Sequence, residues 1–180
     1  MLYIKIDKTT LWDERNEQFV DIKEQTLQLE HSLVSISKWE AKWHVPFFSK
    51  KDKTPEQTID YIKCMTLTQN IKPEVYACLT KEKIDEINNY IVNPMTATTF
   101  MDGNKSGSNS ETVTSELIYY WMIALNIPVE FQKWHINRLL TLIRVCNIKN
   151  QPPKKMSKGE RLRQQAELNA QRRRQLNTKG

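Results

Sequence analysis

With 180 residues and 39% apolar content the chain is long enough for one compact core and too short for two comfortable ones. Its net charge of +6 is unevenly spread: Lys154 to Gly180 holds nine Lys/Arg against two acidic residues, leaving 18 basic and 19 acidic residues before it. A nearly neutral globule with a cationic arm is expected, and the most apolar run, Leu117 to Ile127, stops at Pro128, well short of the roughly 20 residues that span a bilayer.

Leu2, Ile4 and Ile6 alternate with polar residues, and Val20 with Ile22 and then Leu27 with Leu29 repeat the alternation after a polar turn around Asp13 to Asn16. Three short antiparallel strands are predicted. From His31 the period changes, because Leu33, Ile36, Trp39 and Trp43 recur at spacings of three and four on one helical face, with Pro46 expected to end the helix. Thr54, Pro55 and Gln57 form a capping-box start for a second helix with the stripe Ile59, Ile62 and Met65. A third helix opens at Thr80, turns Ile84, Ile87 and Ile91 inward and ends before Pro94. Gly103 to Ser110 reads as a flexible loop.

Val113 to Leu125 is apolar on almost every face, which predicts a central helix surrounded by protein. After Asn126 and Pro128 a second long helix carries Phe131, Trp134, His135, Leu139, Leu142, Ile143 and Cys146, and the short connection predicts a helical hairpin or helix-turn-helix. Its apolar face is spent inward, so only Arg138 and Arg144 remain as base-reading candidates, and DNA recognition by this helix is not expected.

Beyond Pro152 and Pro153, Ser157 and Glu160 make a capping-box signature for a helix through about Leu176. At about 100° per residue, Leu162, Ala166, Asn169 and Ala170 share one stripe, flanked by Arg161 and Arg172 on one side and Arg163 and Arg174 on the other. The fold expected is mainly α within the α+β class: a small N-terminal antiparallel β-sheet, a helical domain and a basic C-terminal helical tail. Residues 1–150 form a single α+β domain, mostly helical after residue 30, and 151–180 form a tail that is disordered or helical only on a partner.

Arg161, Leu162, Arg163, Ala166, Ala170, Arg172, Arg173 and Arg174 are the candidate partner-binding residues. An acidic helical protein surface would use both the ridge and its arginine edges. Nucleic acid is a second possibility through the same arginines, although no aromatic residue follows Trp134. Membrane binding is not expected, because the ridge has no Trp or Phe to enter the interface.

Catalytic, cofactor and metal sites are not expected. The loop around Lys105 and Ser106 lacks the glycines of a phosphate-binding loop, with Thr99 and Asn104 in their places. His31, His44 and His135 stand in no metal-ligand spacing and are read as partly buried rings. Cys64, Cys78 and Cys146 are odd in number and widely spaced, as buried free thiols in a reducing compartment would be. Met1 to Ile6 gives way at once to Asp7 and Lys8 rather than to a secretory apolar region, so the cytoplasm is the expected site of action.

Four segments carry a family resemblance: Leu33 to Trp43 (LVSISKWEAKW), Pro94 to Phe100 (PMTATTF), Tyr119 to Asn150 (YYWMIALNIPVEFQKWHINRLLTLIRVCNIKN) and Leu168 to Gly180 (LNAQRRRQLNTKG). They resemble blocks in small proteins of tailed bacteriophages and prophages, of the siphovirus type, and within these the tail assembly chaperones. The resemblance implies a non-enzymatic protein of the bacterial host cytoplasm that holds the tape-measure protein while the tail-tube protein polymerises around it, and that is absent from the finished particle. It implies no active-site residues. A small phage nucleic-acid-binding or regulatory protein, or a structural component of the virion, are the alternatives.

Overall fold

The computed structural model describes residues 1–13, 17–100, 112–151 and 158–176. The Gly103 to Ser110 loop, Glu14 to Asn16 of the Asp13 to Asn16 turn and the capping residue Ser157 therefore lie outside the described residues, and so does the Pro152–Pro153 break. The chain divides into two compact units, Met1–Asn147 and Ile148–Gly180.

The fold is α+β. Strands β1 (Leu2–Ile6), β2 (Thr9–Asp13), β3 (Gln18–Ile22) and β4 (Gln25–Leu29) pair antiparallel as β1 with β4 and β2 with β3. Partner numbers sum to 31 from Leu2↔Leu29 to Asp13↔Gln18, so the two pairs are one long two-stranded ribbon in a single register. Only its buried face changes. Ile4, Ile6, Leu27 and Leu29 point inward near the base, whereas Leu11, Val20 and Ile22 do so beyond the break at Asp7–Lys8, a shift of one residue in the alternation. That shift hides β2 from periodicity: Thr9–Asp13 has adjacent Leu11 and Trp12 and no alternation of its own, so four strands form among the described residues where three are predicted.

The helices follow as α1 (Leu33–Trp43), α2 (Pro55–Met65), α3 (Lys81–Val92), α4 (Ser115–Ala124), α5 (Ile136–Asn150) and α6 (Lys158–Leu176), with 3₁₀ turns at Pro73–Cys78 and Val129–Lys133. The capping box of α2 forms as the sequence predicts, with Thr54 and Gln57 bonding reciprocally at 3.2 and 3.0 Å. A second box, Ser32 with Ser35, starts α1. That helix ends earlier than Pro46 requires, because His44 adopts a left-handed conformation at φ 53° and donates its amide to Glu40 O.

The central helix is α1 rather than α4. Leu33, Ile36 and Trp39 are buried, and both α2 and α4 pack against α1. In α4 only Ser115, Ile118 and Met122 are buried, while Tyr120 is 63% and Ile123 76% exposed, so protein does not surround the segment on every side. With apolar residues all round, α4 has no polar face to mark which side points outward. The predicted hairpin is also replaced: the chain after Pro128 makes a 3₁₀ turn, runs extended through Trp134 and enters α5 only at Ile136. Two backbone events hold that extended step, a bridge between Ser32 and His135 and the Ile136 amide donating to His31 O at 2.7 Å.

Candidate functional site

All eight predicted partner-binding residues fall on α6, nineteen residues and about 28 Å long. Each of its described side chains is exposed; Leu162 is 59% and Leu176 72% accessible. The helix brings Leu162, Ala166 and Ala170 onto one stripe, with Arg161 and Arg172 on one flank and Arg163 and Arg174 on the other. Arg173 differs from its neighbours: at about 100° per residue it lies on the stripe itself, between Ala170 and Leu176, and so closes the ridge with a cation. Arg173 and Arg174 stand in the last turn, where positive charge also meets the negative end of the helix dipole. Such an element can take an acidic, partly apolar helical surface, or phosphate oxygens, through the same side chains.

The arginines of α5 are placed differently. The Arg138 guanidinium lies 4.0 Å from the Trp134 ring centroid, which in turn stacks on Phe131 at 3.9 Å, and Arg144 lies 3.9 Å from Phe100. Both planar cations are laid on rings of their own chain instead of being presented to bases. An exposed aromatic pair does exist elsewhere, since Trp12 and Phe19 meet edge to face at 4.9 Å on the outer face of the ribbon. Asp21 occupies the same face, and Thr10 donates to it at 2.8 Å, a carboxylate neighbour unfavourable to phosphate.

Sequence spacing leaves the histidines scattered, but the fold joins two of them. The rings of His31 and His135, both buried, meet nearly at right angles with centroids 5.0 Å apart. The Tyr61 hydroxyl hydrogen-bonds His31 Nδ1 and also reaches Ser35 Oγ. His135 Nε2 donates to Tyr90 O at 3.0 Å and its Nδ1 accepts the Asn137 amide at 3.3 Å, an assignment that makes the ring neutral. Burial, reinforced by the nearby charge of Lys53, pushes His31 down to about 3, and burial lowers His135 as well. Burial likewise raises the Tyr61 and Tyr90 hydroxyls, and donation to Glu30 at 2.7 Å adds to the rise at Tyr90. These rings are neutral hydrogen-bonding joints between β4, α1, α2, α3 and α5. His44, by contrast, is exposed.

Two buried carboxylates serve similar structural roles. Glu40 accepts the Phe47 amide at 2.7 Å and the Ser115 amide at 2.8 Å, fixing the chain after α1 and the start of α4 with one side chain. Asp60 joins α2 to α1 through Lys42 at 2.6 Å and Trp43 Nε1 at 2.9 Å; burial alone would raise its pKa, and those hydrogen bonds outweigh it and lower it. The free cysteines are half-buried rather than buried. Among the described residues no three His, Cys, Asp or Glu side chains gather as metal ligands, and no helix is long and apolar enough to cross a membrane.

The chain matches no protein-family model, no curated protein and no solved structure.

Proposed function

We propose that this chain is a non-enzymatic tail assembly chaperone of a tailed bacteriophage, acting in the host cytoplasm and holding the tape-measure protein through α6. The observation that carries the reading is the exposed ridge of Leu162, Ala166 and Ala170 between arginine flanks. A ridge of this width buries too little surface to bind by apolar contact alone, so its arginine edges must meet carboxylates on the client. The sequence resemblance supplies the client's identity.

Copurification of the tape-measure protein with the full chain but not with a chain ending at Asn150 is the expected result. Equal recovery with both removes the role given to α6.

Phosphate binding is the second reading, favoured by the consecutive Arg172, Arg173 and Arg174. A filter-binding titration against salt separates the two. Micromolar retention of nucleic acid that falls steeply with salt selects it, and no retention at low salt rejects it.

A further inference from the structure

A cavity of about 300 Å³ opens beside the first turn of α1, at the lower end of the range for small-molecule sites. Val34 of α1 and Leu67 just beyond α2 give it apolar walls over the fully buried Met65, and Cys64 lines it too. Lys38 and Lys133 also line it, both exposed, and neither forms an ion pair among the described residues.

The local charge is therefore not cancelled by its own wall. Glu30 lines the cavity too, but both carboxylate oxygens are engaged, one by the Tyr90 hydroxyl at 2.7 Å and the other by the Met1 amino group at 3.0 Å. Val34 stands at the second position of α1, where a backbone amide has no intrahelical acceptor, so the positive end of the helix adds to the two ammonium groups. Apolar walls beside uncompensated positive charge suit one kind of occupant. A neutral apolar molecule would leave both lysines unused, and a cation would be repelled.

We propose that this cavity binds a small amphiphilic anion, an apolar chain or ring with a single carboxylate-type head. The apolar part packs against Val34 and Leu67, and Lys38 and Lys133 hold the head. This site is independent of α6, since every residue lining it belongs to Met1–Asn147.

The test uses the full-length chain carrying Cys78→Ser and Cys146→Ser, so that alkylation by the neutral reagent iodoacetamide reports on Cys64 alone. Octanoate should slow that reaction saturably, with octanol and octyltrimethylammonium at least about tenfold weaker. Lys38→Gln with Lys133→Gln should weaken octanoate by about tenfold and leave octanol unchanged, which shows the cavity intact while the charge contacts are lost. Backbone amide shifts of Val34 and Leu67 in the unaltered chain give the same titration without cysteine replacement. The proposal is overturned if octanoate neither protects Cys64 nor moves those amides, if the three probes act equally, or if the lysine variant binds octanoate as well as its parent.

Discussion

Helices α1 and α6 show two different ways for a helix to exist in one chain. The first spans eleven residues and buries five of them, Leu33, Ser35, Ile36, Trp39 and Glu40; the second spans nineteen and leaves every described side chain exposed. Intrinsic propensity runs the other way, because Arg, Gln, Glu, Ala and Leu fill α6 while α1 contains Ser, Val and two Trp. Burial therefore holds α1 and local preference supports α6. The difference matters for function: a helix whose apolar stripe is uncovered can offer it to a partner without opening the core.

The comparison breaks most visibly at Trp39. Its ring is 1% exposed, meets Phe47 edge to face at 5.4 Å and donates from Nε1 to Gln57 O at 2.9 Å. Trp39→Ala should cost about 4 kcal/mol in urea unfolding; a loss under about 1 kcal/mol would mean that burial does not hold α1.

Acid tests the same packing at the start of α1. Native His31 takes up a proton only near pH 3, whereas the unfolded chain does so from about pH 6.5, so the unfolded state binds more protons between them. Stability should be full above about pH 6.5 and fall by roughly 3 kcal/mol by pH 4, with a shallower slope in His31→Gln. Equal slopes in the two proteins would show that the ring is not held neutral by the fold.

Glu40 sharpens the contrast further, because it is a charged residue of a helix that serves other elements. Glu40→Gln turns one acceptor into a donor facing an amide and should cost about 2 kcal/mol, read by unfolding and by faster hydrogen exchange at the Phe47 or Ser115 amide. Unchanged exchange at both amides would count against that double cap.

The smallest effect is expected on α6. A Cβ added at Gly159 would meet nothing within 4 Å. Gly159→Ala should favour the helix by about 0.5 kcal/mol, seen as increased far-ultraviolet helicity of a peptide covering 151–180. A decrease would indicate that local propensity is not what supports α6.

Much of the architecture is legible in residue patterns. Thr54, Pro55 and Gln57 announce α2 and do start it, and Thr80 caps α3 as predicted, because caps act within four residues of themselves. Charge segregation and the stripe of α6 are equally local, since any helix through those residues must align Leu162, Ala166 and Ala170. The register of the ribbon was not legible, because a shift of face between Ile6 and Thr9 depends on what each half packs against.

Sequence alone thus determined where most helices begin, which residues share a face and where the positive charge lies, all set by interactions reaching at most a few residues along the chain. Tertiary structure alone decided that α1 and not the more apolar α4 is central, that His31 and His135 meet across a separation of 104 residues, and that Lys38 and Lys133 line one cavity. These depend on contacts between distant segments, where burial selects one arrangement among many with similar local patterns.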